Sequence, residues 1–458
     1  MRLMTLASML AALTFSGCSV PMSPNTPQEE VATRRVALPP ALPPMKAFGS
    51  THITRPTRAN SVIAGDFLDL SFQLESGRPL PVLTRFEGPV TLRVTGDAPS
   101  YMMADLSRLL ARLRIEAGIN IHQVMAGDAA SITLEVIPKR QLQRLVPHAA
   151  CFVAPNVSGW QEYKAARGTA KLDWAKLRSR TRMAVFLPGD VSPQELRDCL
   201  HEEVAQALGP VNDLYRLHDS VFNDDNFQTV LTGFDMLILR AYYAPELASG
   251  MSRGDVAARL PAILARLNPA GGSGMPRIGG QSPAAWKDAI ETALGKGQST
   301  TRRRDAAITA VAIARKMGWR DTRLAFSLFA YGRLHMRQSS KDAFAAFREA
   351  EAIYRANPET ALQAAHMGVQ LAAYALSAGQ ADEAITIVNT HIAPVKQAEN
   401  AALLATLMMI KAEALDLAGR PREAQLVRLD SLGWARYGFG SNEQVGARLS
   451  EIAAISPG

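Results

Sequence analysis

The stretch that decides how this chain reads opens with Ser192-Pro193-Gln194-Glu195 and continues to Cys199-Leu200-His201-Glu202-Glu203-Val204-Ala205-Gln206-Ala207-Leu208-Gly209. Ser192 can cap a helix, Pro193 suits its first turn, and Glu195 can return a bond to the cap. The helix is expected to run to Leu208, with Gly209 in the left-handed conformation that ends it. Just before it, Met183-Ala184-Val185-Phe186-Leu187 reads as a buried strand. Further upstream, Val90 to Val94, Ile132 to Val136 and Cys151-Phe152-Val153 also read as strands, as does the alternation Phe67-Leu68-Asp69-Leu70-Ser71-Phe72. Leu106, Leu109, Leu110 and Leu113 place a helix over Ala104 to Ala117, stopped by Gly118. Strands interleaved with helices in this order predict an α+β domain over 61–267.

A Gly/Pro-rich stretch, 268–283, reads as a linker. Gly295-Lys296-Gly297 lacks the Ser or Thr of a phosphate-binding loop, and Ser273 lacks the outer glycine of a nucleophile elbow. Residues 284–458 are Ala-rich and repetitive. Gly379-Gln380-Ala381-Asp382-Glu383-Ala384 recurs forty residues later as Gly419-Arg420-Pro421-Arg422-Glu423-Ala424, and Ser339-Ser340-Lys341-Asp342-Ala343 is a weaker earlier copy. Each copy reads as a helix, a short turn and a second helix. Pro358 closes a pair as in a tetratricopeptide unit, although the period is longer. An all-α, tetratricopeptide-like domain is expected here, with a groove for a protein or peptide partner, and a plain helical bundle capping the first domain is the alternative.

The N-terminus reads differently. Arg2 precedes an apolar run, Leu3 to Phe15, too short to span a bilayer, followed by Ser16-Gly17-Cys18. The pattern resembles a bacterial lipobox, so 1–18 are expected to be a lipoprotein signal with Cys18 lipidated. Ser19 at the next position resembles an outer-membrane sorting signal. The expected location is periplasmic, held to the membrane by the lipid. Residues 19–60, with seven prolines from Pro21 to Pro44, read as an extended tether. Two cysteines then remain in an oxidising compartment, Cys151 and Cys199. The even remainder argues for one disulfide, linking the strand that bears Cys151 to the helix that bears Cys199, with two buried free thiols the alternative. Three cysteines exclude a disulfide-dense mini-protein and a four-cysteine zinc module. Hydrophobic content of 47% excludes disorder throughout, and a net charge of +8 spread over 458 residues argues against a nucleic-acid partner. Arg302, Arg303 and Arg304, and the cluster Lys176, Arg178, Arg180 and Arg182, read as solvated segments.

The helix could carry chemistry. Two metal ligands must lie four apart to share a face, and the residue four after His201 is Ala205. Shifted by one, Glu202, Glu203, Gln206, Gly209 and Asn212 occupy the positions of an H-E-x-x-H-x-x-G-x-x-H pattern. Glu203 then matches a general base. Glu202, Gln206 and Asn212 stand where three imidazoles belong, and an amide oxygen is a poor zinc ligand. The spacing is that of a zinc peptidase and the ligands are not.

That run, with Asp219-Ser220-Val221-Phe222-Asn223-Asp224 and Leu231-Thr232-Gly233-Phe234-Asp235-Met236-Leu237, resembles domain-of-unknown-function family 2927. Leu74-Glu75-Ser76-Gly77-Arg78 and Asp430-Ser431-Leu432-Gly433-Trp434-Ala435-Arg436-Tyr437 also look familial. The resemblance implies a zincin-like fold, related to metallopeptidases, with the Glu202/Gln206 helix against the sheet, and no established activity. Met236 resembles the methionine beneath a metal site, although an ordinary core methionine explains it as well. A degenerate, non-catalytic binding cleft is the leading reading, with no cofactor expected. The alternatives are a calcium or magnesium site from Glu202, Gln206 and Asp213 with Asp219, Asp224 or Asp225; a metal-free acid/base pair of Glu202 and Glu203; and an active zinc metallopeptidase with unusual ligands, drawing on His218 or His148.

Overall fold

The computed structural model describes residues 39, 41–49, 53–147, 149–273 and 282–457. Two compact units result, Gly49–Lys287 and Asp288 onward, the second also taking in the segment up to Phe48.

The first unit begins with α1 (Asn60–Ser71) and continues β1 (Val90–Gly96), α2 (Ser100–Glu116), β2 (Ile121–Gln123), β3 (Ile132–Ile137), α3 (Lys139–Leu145), β4 (Phe152–Pro155), α4 (Trp160–Ala166), β5 (Met183–Pro188), α5 (Pro193–Leu208), α6 (Gly233–Tyr242) and α7 (Arg253–Leu267). The sheet runs β2-β1-β3-β5-β4, parallel except for β4, which pairs antiparallel with β5 at one edge. Every residue of β5 is buried, as a strand covered on both faces must be. Ala184 and Phe186 face a cluster built by Leu142 of α3 and Trp160 of α4, while α5 packs along β4 and β5. Gly118, at φ 69°, ends α2 as its sequence position suggests.

Two local expectations fail. The apparent alternation of Phe67 to Phe72 belongs to α1, whose buried residues Ile63, Asp66, Phe67 and Leu70 follow the helical period instead. Asp66 can be buried there because Arg58 Nη1 and Arg216 Nε each donate to it at 2.9 Å. Gly209 ends α5 in an extended conformation, φ −164°, and not in the left-handed one. What excludes a side chain there is the Tyr242 ring, 3.0 to 3.1 Å from where a Cβ would sit.

In the chain that follows, α8 (Ala284–Leu294) crosses the division between units. The second unit continues with α9 (Thr300–Lys316), α10 (Thr322–His335), α11 (Ser340–Arg355), α12 (Ala361–Ser377), α13 (Ala381–Gln397), α14 (Ala401–Leu417), α15 (Pro421–Phe439) and α16 (Asn442–Ala453). The repeated motifs found in the sequence open α11, α13 and α15. Their turn glycines, Gly379 and Gly419, have φ near 75°. Small residues let the paired helices approach. A Cβ at Gly332 of α10 would lie 2.8 Å from the Phe347 ring of α11, one at Gly368 of α12 would overlap His391 of α13, and one at Gly438 of α15 would meet Ala402 of α14.

The described part of the expected tether is extended but packed. Phe48 stacks on Trp434 at 4.7 Å, Lys46 N–H donates to Gly433 O at 3.0 Å, and Arg436 Nη1 donates to Pro43 O at 2.9 Å. Cys18 and the remainder of 1–38 lie outside the described residues.

Candidate functional site

All of α5 from Leu196 to Leu208 is buried, an unusual position for a helix with so many polar residues. Its termini explain how this is tolerated. Ser192 Oγ accepts from Glu195 N–H at 3.1 Å, and the Glu195 carboxylate takes Lys139 Nζ at 2.8 Å. At the other end, Arg180 Nη1 donates to Gln206 O and Ala207 O, Arg180 Nη2 donates to Gly209 O, and Tyr243 OH donates to Leu208 O at 3.0 Å. Carbonyls that a helix end leaves unpaired are thereby satisfied, and a cation meets the negative end of the helix dipole. Arg180 is only 3% exposed, so the solvated reading of its cluster is wrong for this residue. The disulfide Cys151–Cys199 ties α5 to the start of β4, closing the free-thiol alternative.

Each side chain singled out on α5 has a defined place. His201 Nδ1 accepts from Leu231 N–H at 3.2 Å, and burial together with Arg197, Arg112 and Arg108 holds the imidazole neutral, well below its usual range. Glu203 is 1% exposed and its carboxylate accepts the Val153 N–H of β4. Burial and the neighbouring Glu202 and Glu75 push its pKa well above the carboxylate range. Glu202 and Gln206 lie one turn apart on a common face, both buried. Asn212 Nδ2 donates to Asp69 O at 2.9 Å, fastening the loop after α5 to α1.

Around Glu202 the structure gathers carboxyl groups from distant parts of the chain. Glu75, Asp213 and Asp224 interact with one another, and Glu202 acts on Glu75, Asp213 and Glu203. Burial first, then Asp224, raises Glu75 to about 8, and burial raises Asp224 to about 6. Asp213, 2% exposed, is raised well above its ordinary value by burial and by Glu75. The side chains of Glu75 and Asp213 are hydrogen-bonded to each other, which two carboxyl groups can do only by sharing a proton. Lys287 supplies the opposing charge. Glu75, Asn212, Tyr215 and Lys287 line a small recess of about 40 Å³.

The remaining candidates separate from this group. Asp219 pairs with Arg58, and Asp225, raised to about 8 by burial, accepts from Phe227 N–H at 3.1 Å. Met236 is a core residue of α6, 2% exposed; His218 is buried, and His148 lies outside the described residues. Glu75 appears in the sequence only as part of a familial segment. No local signal places it against α5, because the pair it forms with Asp213 spans most of the domain.

The residues do not fit zinc. The three pattern positions offer a carboxylate and two amides where zinc prefers nitrogen or sulfur, and one amide nitrogen is already committed to Asp69 O. Glu203 Oε2, Gln206 Nε2 and Asp213 Oδ1 are buried without a hydrogen-bond partner, yet no group of three His, Cys, Asp or Glu among the described residues is arranged around a point where a metal ion could sit.

Residues 60–262 match the family described as "Protein of unknown function (DUF2927)". The first unit carries a DUF2927 domain. No curated protein and no solved structure matches the chain. Among the described residues no helix is long and apolar enough to cross a membrane.

Proposed function

We propose that the protein is a lipid-anchored component of the bacterial cell envelope that binds or scaffolds and does not hydrolyse. In this reading its DUF2927 domain is a zincin-like fold whose catalytic positions now serve structure. The observation that carries the reading is Glu203. In the spacing of a zinc peptidase this residue would be the general base. Here it is buried, accepts the Val153 N–H, and is flanked by Glu202 where an imidazole would be needed. A base must reach the proton it abstracts. A mixed sheet with α5 lying along β4 and β5 supports the zincin-like relationship, and the Cys151–Cys199 bond supports an oxidising compartment outside the cytoplasm.

The paired helices after α8 supply the second half of the reading. Their forty-residue recurrence and glycine-mediated contacts support a tetratricopeptide-like array, a form that presents an extended surface to a protein or peptide partner. Cross-linking of the full chain in intact envelopes, followed by mass spectrometry of the conjugates, tests the proposal. Wild type and Glu203→Gln are expected to capture the same proteins, all intact. Conjugates cleaved by wild type and left whole by Glu203→Gln would reject it.

A further inference from the structure

The sequence between Lys296 and Arg348 carries twelve Lys and Arg against three Asp and Glu. The fold collects many of these cations at one end of the helical pairs. Arg303 Nε donates to Ala293 O at 2.9 Å, bringing the start of α9 to the end of α8. Arg304 Nε donates to Leu334 O at 2.9 Å, bringing it to the end of α10, from which the chain turns directly into α11. Burial first, and then the nearby Arg303, disfavour the charge of Arg333. One face therefore presents Lys296, Arg302, Arg303 and Arg304, then Arg333, Arg337 and Lys341. Lys296, Arg302, Arg337 and Lys341 are exposed, and Met336, 38% exposed, lies between Arg333 and Arg337 in the sequence.

None of the seven forms an ion pair with a described residue, although Arg315, Arg323, Arg420 and Arg428 of the same unit all do. Like charges gathered without an opposing charge from the described residues repel one another, a cost that an anionic surface outside the chain would offset. An anionic bilayer surface attracts such a cluster, and an exposed methionine within it suits the headgroup boundary. On the lipid-anchored reading, the packed tether also keeps this unit close to a bilayer. Residues 43–48 lie on α15 of the same unit, and the stretch from Cys18 to Ala41 spans at most roughly 80 Å when fully extended.

We infer that the basic end formed by α8, α9, α10 and α11 docks on anionic phospholipid headgroups of the membrane that carries the anchor. The inference rests on the lipid-anchored reading above, and names a second contact with that membrane. Its test uses the full chain with Cys18→Ser, so that no acyl chain contributes, in co-sedimentation with vesicles. Phosphatidylcholine vesicles with about a third phosphatidylglycerol are expected to bind at least about tenfold more tightly than phosphatidylcholine alone, an excess that raised salt abolishes. The fourfold variant Lys296→Glu, Arg302→Glu, Arg337→Glu, Lys341→Glu should lose that excess, while Arg140→Glu with Lys164→Glu, two exposed cations of the other unit, should keep it. If the fourfold variant misfolds by circular dichroism, the single changes Arg337→Ala and Lys341→Ala should each weaken binding. Equal binding to both vesicle types, undiminished binding by the folded variants, or displacement from anionic vesicles by a DNA oligonucleotide at matched charge overturns the inference. The mass of the mature N-terminus tests the anchor separately: an unlipidated Cys18 with vesicle binding intact would remove only the anchor.

Discussion

The helix α5 and the helical pairs of the second unit are both buried helices, and they are buried by opposite means. Around α5 the chain places charged and polar groups in the interior and satisfies most of them from far away. Arg180 closes the C-terminal carbonyls, Val153 N–H meets Glu203, Asp69 O meets Asn212, and Glu75 shares a proton with Asp213. In the second unit the buried faces are mainly Ala, Leu, Val and Met, with fewer buried charges such as Arg323, Glu413 and Arg448. Gly332, Gly368 and Gly438 let one helix settle onto the next. The first arrangement depends on a few long-range partners, each costly to remove, and the second on many small, local contacts.

That contrast orders the expected effects. Losing the disulfide in a Cys151→Ala/Cys199→Ala variant removes a cross-link over 48 residues and should cost about 3–4 kcal/mol by chain entropy, read as a lowered midpoint in denaturant. Arg180→Ala should follow at about 3 kcal/mol, because it leaves the buried carbonyls of Gln206, Ala207 and Gly209 without their donor. A loss below about 1 kcal/mol would mean that the end of α5 is hydrated. Gly368→Ala, which drives a methyl into His391, should cost about 1–3 kcal/mol, whereas Ser192→Ala at the cap of α5 should cost about 1 kcal/mol. If Gly368→Ala were neutral, the helical pairs would be looser than their packing implies.

Acidity sharpens the comparison further. Glu75 holds its proton up to about 8 in the folded chain, well above its ordinary value. The folded state thus binds a proton that the unfolded chain releases near pH 4.5, and stability must fall as pH rises between those values. Asp224 and Asp225, both raised, act with the same sign. His201, His366 and His391, all lowered by burial, act with the opposite sign below about pH 6.5, so the thermal midpoint should decline most clearly from about pH 6.5 to pH 8, and Glu75→Gln, which keeps a hydrogen to offer Asp213, should flatten the decline. A Glu75→Gln profile parallel to wild type would show that this pair is not where the proton resides.

Legibility from sequence follows the same division. The forty-residue recurrence was readable because a helix, a turn and a partner helix lie within one short window. The cap of α5, its length and most strands were readable for that reason too. The disulfide was legible from cysteine arithmetic in an oxidising compartment, which leaves an even remainder of two, although that arithmetic says nothing of distance. By contrast, Arg180 looked like one more cation in a basic run, and the helix it caps is contacted across 26 to 29 residues. Glu75 and Asp213 come together only when the loop after α1 meets the loop after α5. In α1 itself the alternation from Phe67 to Phe72 reads as a strand, and the helical period shows only once Asp66 is seen to be buried, held there by Arg58 and Arg216.

The central claim is that the zinc-peptidase spacing on α5 now serves structure. Elemental mass spectrometry of the chain purified without chelators tests this most directly. The account predicts zinc far below one atom per chain, unchanged in Glu202→Ala and Gln206→Ala. About one zinc per chain, lost in both variants, would contradict it and make Glu203 a catalytic base after all.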